Sequence, residues 1–103
     1  MTIERRCDLC EAARLTPWHH EDEVCWVADC ELCDVPMVVW REHGTEPPPP
    51  VLAHMIAALE RVAIARFGDF AVDPVRRNIP DHWHAHARPR GKAALTWWLA
   101  RRG

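Results

Sequence analysis

The sequence predicts an α+β fold in which an antiparallel sheet is covered by one main helix. The segment Val51–Phe67 repeats apolar residues at helical spacing, which is typical of a helix lying on a core. Segments of strand length and composition lie on both sides of it. These are Glu23–Cys30 and Val35–Glu42 before the helix, and Asp69–Arg77 and Ile79–Pro89 after it.

Length and composition limit the classes of function. With 103 residues, 49% hydrophobic residues and six tryptophans, residues 1–103 are expected to form one domain with a small core. The formal net charge of -2 gives no basis for binding duplex nucleic acid. No apolar run approaches the roughly 20 residues of a membrane span, and the N-terminus lacks an apolar signal core. We therefore expect a cytoplasmic protein whose five cysteines are thiols or metal ligands rather than disulfides.

The first half of the chain is predicted to contain a cysteine turn, a short helix and a hairpin. The short helix covers Leu9–Thr16 and is ended by Pro17. Glu23–Cys30 is rich in β-formers, whereas Val35–Glu42 is a continuous apolar run that suits a strand buried on both faces. Because only a few residues connect these two strands, we expect them to pair with each other.

The second half is predicted to place the main helix before two more strands. A linker at His43–Pro50 contains four prolines, which favour a stiff, extended chain, and the last of them can start the helix. Leu52 and Met55 belong to the apolar stripe of the helix, and Gly68 stops it. After the last strands, residues 92–103 form a C-terminal tail or a short helix.

Three histidines alternate within the stretch PDHWHAHARPR at Pro80–Arg90. In a strand, His82, His84 and His86 would point to one face, with neighbouring Cα atoms about 6.5–7 Å apart. Two neighbours can share one metal ion, but the outer pair lies roughly 13 Å apart. We therefore expect the row to divide its roles, with a metal at one end and a substrate facing the rest.

Two sets of zinc ligands compete in the sequence. The C-x2-C turn CDLC is repeated as CELC after nineteen intervening residues, which is the spacing of a four-cysteine ribbon. The first set is therefore Cys7, Cys10, Cys30 and Cys33. The second set combines Cys7 and Cys10 with two histidines, His43 at the end of the second strand and His82 at the start of the row. Spacing alone leaves both sets open.

The layout resembles the histidine-triad family. The signature of that family is His-apolar-His-apolar-His-apolar-apolar, and this chain has HWHAHAR followed by PR. Relatives often begin with a C-x2-C knuckle like CDLC, continue with an acidic turn and strand like HEDEVCWVAD, and end a second strand with histidine as in PMVVWREH. The resemblance runs from about Cys7 to Arg90, with these segments in the family's order.

The resemblance implies a zinc-containing nucleotide hydrolase or nucleotidyl transferase. Carried over by position, the zinc ligands are Cys7, Cys10, His43 and His82. His84 would be the nucleophile that attacks the α-phosphorus and forms a phosphohistidine, and His86 would donate a hydrogen bond to the phosphate. Asn78 stands where relatives have a polar amide, and the substrate would be small, phosphorylated and nucleotide-like. Arg88 departs from the signature, which has an apolar residue there. From the residues alone, Arg88 is interpreted either as a clamp for the substrate's anion or as a solvated arginine at the strand end. Relatives usually dimerise, so the resemblance also allows a homodimer.

Two other functions remain open from the residues alone. One is a non-catalytic, zinc-stabilised binding module, either a four-cysteine ribbon or an inactive histidine-triad domain. The other is a metal-dependent lyase or hydrolase in which His84 or His86 acts as acid or base. For the remaining histidines and the fifth cysteine we predict structural positions without a functional role. His19 and His20 are expected in an exposed polar turn, His54 on the helix surface and Cys25 in the core.

Overall fold

A five-stranded antiparallel sheet with two helices forms the protein in the computed structural model, which describes residues 16–30, 34–74 and 80–102. In chain order the elements are β1 (Trp18–Glu21), β2 (Cys25–Asp29), β3 (Pro36–Trp40), α1 (Pro49–Arg66), β4 (Phe70–Asp73), β5 (His84–Pro89) and α2 (Gly91–Arg102). The α+β class with an antiparallel sheet is therefore confirmed. The predicted knuckle and the short helix at Leu9–Thr16 lie outside the described residues.

The strand that carries the histidines lies inside the sheet. The strand order is β1-β2-β3-β5-β4, so β5 is hydrogen-bonded to a neighbour on each side. The predicted hairpin of β2 and β3 is confirmed, and its register pairs Cys25 with Trp40 and Asp29 with Pro36. Most of the apolar run of β3 is buried, with Val38 in the core cluster beneath α1 and Val39 in the cluster on the other face, as the sequence predicts.

The prediction of a polar turn at His19 and His20 is wrong, because these residues form the edge strand β1. Its sequence WHHE has no apolar alternation, so the period-2 signal of a half-buried strand is absent. Pairing with β2 and stacking of the Trp18 ring on the Trp26 ring, at 4.6 Å between centroids, hold the segment in the sheet. Tertiary contacts thus form a strand that the local sequence pattern does not predict.

Helix α1 covers one face of the sheet. It begins at Pro49, one residue before the proline that was predicted to start it, because a proline at the first helical position loses no intrahelical hydrogen bond. Gly68 follows its end with a φ of 82°, a left-handed conformation that glycine adopts at little cost. Its buried residues are Met55, Ala58, Leu59 and Ala63. Leu52 was expected in this stripe but is 36% exposed, since it lies at the start of the helix.

The two faces of β5 have different neighbours. Trp83, just before the strand, packs in the core cluster beneath α1 together with Ala85 and Ala87. The alternate residues His84 and His86 therefore face the other side, where the register places them opposite Val39 and Met37 of β3. The predicted strand from Ile79 starts later, at His84, and is preceded by a turn that contains His82.

The C-terminal segment is the helix α2, which contacts β5 and leaves Leu95, Trp98 and Leu99 substantially exposed. Among the described residues, neither helix combines the length and the apolar character required to cross a bilayer.

Candidate active site

The histidines of β5 lie on a strand inside the sheet and are almost completely buried. His84 is 5% exposed and His86 is 7% exposed, and their ring centroids lie 5.7 Å apart at an angle of 74°. Hydrogen bonding to β3 and β4 on the two sides fixes the backbone that carries both rings. The sheet thus presents two adjacent imidazoles in a defined mutual orientation, as the alternation in the sequence predicts.

The tautomer of His84 is set by the backbone. Its Nδ1 lies 2.8 Å from the carbonyl oxygen of His82, and a carbonyl can only accept a hydrogen bond. Nδ1 therefore carries the hydrogen, and in the neutral ring the lone pair is on Nε2. Of the two ring nitrogens of His84, Nε2 is therefore the one that could act as an acceptor or a nucleophile.

His86 differs from His84 in its hydrogen bonding. Its Nδ1 is buried and makes no hydrogen bond to the rest of the described chain, and the same is true of Nε1 of Trp26. A buried polar atom without a partner costs about 1–3 kcal/mol. A hydrogen-bond partner that reached Nδ1 of His86 would recover that cost, but the atom is closed off from solvent, so neighbouring side chains would first have to move.

Arg88 continues the same face of β5 but is already paired. Its Nε donates to Oδ2 of Asp73 at 2.9 Å across the pairing of β4 with β5. Arg88 also lines a groove of about 410 Å³ at the contact with α2, together with Leu95 and Trp97. The side chain predicted to clamp an anion therefore lies next to His86. The carboxylate of Asp73 compensates part of the charge of Arg88.

The two histidines of the predicted zinc set are brought together. The ring centroids of His43 and His82 lie 5.3 Å apart, and His82 is fully buried. Nε2 of His82 donates to the carbonyl oxygen of Trp40 at 2.6 Å, so Nδ1 bears the lone pair that a metal requires. Burial lowers the pKa of His82 and favours this neutral form, although the hydrogen bond to Trp40 acts against it. Nε2 of His43 lies 3.4 Å from Oδ2 of Asp81.

Other predicted site residues lie outside the described residues. These are Cys7, Cys10, Cys33 and Asn78. Cys30 is described, and it follows β2 with its backbone N–H bonded to the carbonyl of Val35.

The fold separates the two competing zinc sets. Cys30 follows the Asp29 end of β2, whereas His43 and His82 lie at the end where Cys25 pairs with Trp40. The two ends are roughly 13 Å apart along the strand. One ion cannot bind Cys30 and His82 together, so the described members of the two sets belong to opposite ends of the sheet.

A further cluster of metal-binding side chains was missed by the sequence analysis. One ligand atom each from His20, Asp22, Cys25 and His54 can be chosen so that all four lie within 4.8 Å of one another. His54 was predicted as a surface residue of the helix, and it is 44% exposed, but its Nε2 lies 2.6 Å from Oδ2 of Asp22. The spacing H-x-D-x2-C is a local signal for part of this cluster, whereas His54 joins it only through the packing of α1.

Hydrogen bonds dominate the electrostatics of this cluster. Burial tends to raise the pKa of Asp22, but hydrogen bonds from His20, His54 and two backbone N–H groups outweigh it and hold the pKa well below its usual range. The carboxylate is thus ionised at neutral pH. For Cys25, burial and then the nearby Asp22 charge raise the pKa of the thiol to about 12.

Comparison with known proteins gives no match to a family model, to a curated protein or to a solved structure.

Proposed function

We propose that this protein is a zinc-containing enzyme of the histidine-triad type, which hydrolyses or transfers a nucleotidyl group with His84 as the nucleophile. The hydrogen bond from Nδ1 of His84 to the carbonyl of His82 carries the proposal, because it directs the lone pair to Nε2. The HWHAHAR motif and the burial of both strand histidines also support it.

The proposed chemistry begins with attack of Nε2 of His84 on the α-phosphorus of a nucleotide. A bond forms between nitrogen and phosphorus while the leaving group departs with its electron pair, and water later hydrolyses the phosphohistidine. The imidazole gains positive charge when it is phosphorylated, so the hydrogen bond from Nδ1 to the His82 carbonyl becomes stronger as the bond forms. That interaction therefore favours the transition state more than the ground state.

Binding of the phosphate is assigned to His86, Arg88 and Asn78. The buried Nδ1 of His86 is suited to donate to a phosphate oxygen, since it makes no hydrogen bond to the described part of the protein. Arg88 shares its charge with Asp73, so it would orient the phosphate more than it would neutralise it.

The zinc proposed for this domain would be held by Cys7, Cys10, His43 and His82. The observation that supports this set is the adjacency of the two imidazoles, with Nδ1 of His82 bearing its lone pair. Zinc there would stabilise the start of β5 rather than activate water. The turn that supplies the carbonyl to His84 would thereby be fixed.

A non-catalytic, zinc-stabilised binding module is the second candidate function. The ion pair of Arg88 with Asp73 favours it, because a charge compensated within the sheet provides less attraction for a phosphate. In that case the buried histidines would serve binding or stability only.

The two functions are separated by incubation of the purified protein with adenosine 5′-phosphoramidate. We expect release of AMP by the parent protein and loss of that activity in His84→Ala. His19→Ala is the control, since His19 is an exposed histidine of β1 outside the site. Mass spectrometry of samples quenched without acid should also detect a nucleotidyl adduct on the parent protein. His84→Ala should lack this adduct. If the parent protein turns over neither this substrate nor a dinucleoside polyphosphate, or if His84→Ala remains active, the enzyme proposal is wrong.

A further inference from the structure

We infer that the protein has an additional zinc site formed by His20, Asp22, Cys25 and His54, which joins the β1–β2 hairpin to helix α1. The site shares no ligand with the zinc set proposed above and does not depend on the proposed activity.

The ligand atoms of the four side chains lie close enough to surround one ion. Nε2 of His20 and Nε2 of His54 lie 2.7 and 2.6 Å from the same Oδ2 of Asp22, and the chosen ligand atoms of all four residues lie within 4.8 Å of one another. Around tetrahedral zinc, nitrogen and oxygen ligands are separated by roughly 3.3 Å, and a thiolate lies somewhat farther from its neighbours. The side chains would therefore have to move by less than about 1 Å to enclose an ion.

Backbone hydrogen bonds hold the carboxylate of Asp22 in place. Its Oδ1 accepts hydrogen bonds from the backbone N–H groups of Val24, at 2.8 Å, and Cys25, at 2.9 Å. These bonds fix the carboxylate in the turn between β1 and β2 and leave Oδ2 directed at the two imidazoles. Metal-ligating carboxylates in proteins are commonly held in this way by hydrogen bonds to their other oxygen.

The combination of ligand types suits zinc. Two neutral imidazoles, one carboxylate and one thiolate together carry two negative charges, which balance a divalent cation. Zinc accepts nitrogen, oxygen and sulfur ligands in tetrahedral sites, whereas magnesium and calcium require oxygen. Cys25 is fully buried, so an ion bound to its sulfur would be shielded from water on that side.

Access to the site is from the protein surface. The side chains of His20, Asp22 and His54 are 25%, 27% and 44% exposed, so an ion can enter past them. Cys25 would form the floor of the site. All four ligands come from the protein, which is the arrangement of a structural rather than a catalytic zinc site.

The alternative is that Asp22 merely serves as a hydrogen-bond acceptor for the surrounding groups. The chain offers a matched control for that alternative, because His19 on the same strand also contacts a carboxylate, with Nε2 3.0 Å from Oδ1 of Asp29. Among the described residues, neither a cysteine nor a second histidine joins His19 and Asp29 in a group that could hold a metal ion. A variant at His19 thus removes a histidine–aspartate contact and leaves the inferred zinc site intact.

The experiment measures zinc bound per chain after chelation, reloading with zinc and removal of excess metal. The parent protein, the double variant His20→Gln/His54→Gln and the control His19→Gln are compared. We expect the double variant to bind one zinc ion fewer than the parent and the control to bind the same amount as the parent. Equal stoichiometry in all three proteins would overturn the inference.

Cobalt substitution provides a second measurement that is independent of the other proposed site. In the background Cys7→Ser/Cys10→Ser, we expect Co²⁺ to give tetrahedral visible bands and a thiolate charge-transfer band. Cys25→Ala should remove that charge-transfer band, and because alanine is small and apolar it suits the buried position. Survival of the band in Cys25→Ala, or no cobalt binding in this background by a folded protein, would refute the site. A loss of zinc caused by His43→Gln would bear only on the set of Cys7, Cys10, His43 and His82.

Discussion

The protein contains two groups of histidines whose arrangements have different origins. The pair on β5, His84 and His86, comes from one strand, and the period of that strand sets their common face. The cluster around Asp22 takes His20 from β1, Cys25 from β2 and His54 from α1, so packing between elements creates it. A local period is visible in a sequence, whereas a contact across 32 positions is not.

The largest expected effect distinguishes the two groups by activity. We predict that His84→Ala lowers kcat/KM for adenosine 5′-phosphoramidate on the order of 10³-fold or more, because the nucleophile is removed. The matched change His54→Ala should leave kcat/KM within a few-fold of the parent value. Steady-state kinetics on both variants makes the comparison, and equal losses in the two would place catalysis outside β5.

The second prediction concerns the face of the sheet that α1 covers. Leu59 is fully buried there, and Leu59→Ala should lower the free energy of unfolding by about 2–5 kcal/mol through lost burial and a cavity. Urea denaturation measures the change. Leu52→Ala is the control, because the 36% exposed side chain of Leu52 should cost much less. A similar loss in both would mean that the helix packs in another orientation.

The third prediction uses the thiol of Cys25 in metal-free protein. Its pKa is raised from 9.0 to about 12 on folding, so the native state holds the proton longer than the unfolded state does. The stabilisation is fully present below about pH 9 and is lost as pH rises toward 12. At pH 11, unfolding should be easier by roughly 2–3 kcal/mol from this group alone.

Cys25→Ala supplies the reference for that alkaline loss. We expect the free energy of unfolding of Cys25→Ala, measured with chelator present, to fall less between pH 9 and 11 than that of the parent. Parallel pH profiles for the two proteins would show that Cys25 is not shielded from water in the folded state.

Much of the fold could be predicted from the sequence because local patterns carry it. The stripe of α1, the apolar run of β3 and the alternation at His84 and His86 each lie within one element. The strand β1 could not be predicted, since WHHE has no apolar period and is ordered by pairing with β2. Because this segment was predicted to be an exposed turn, His20 was not predicted as a metal ligand.

For the same reason, only part of the candidate site could be predicted from the sequence. The adjacency of His43 and His82 was proposed from family resemblance and is present in the structure, at 5.3 Å between ring centroids. The pairing of Arg88 with Asp73 was not foreseen, because it depends on the register between β4 and β5. An ion pair of this kind can be predicted only when the residues that are neighbours across the two strands are known.

The smallest expected effect tests the role of Arg88 through two similar ion pairs near the end of the sheet. Arg88 pairs with Asp73, and Arg90 pairs with the exposed carboxylate of Asp69. Partly exposed pairs contribute about 0.2–1 kcal/mol, so Arg88→Gln and Arg90→Gln should both change stability slightly. Only Arg88→Gln should raise KM, by about 3–10-fold, if a substrate phosphate contacts Arg88 as proposed. Equal KM values in the two variants would assign Arg88 to stability alone, and the phosphate would then depend on His86 and Asn78.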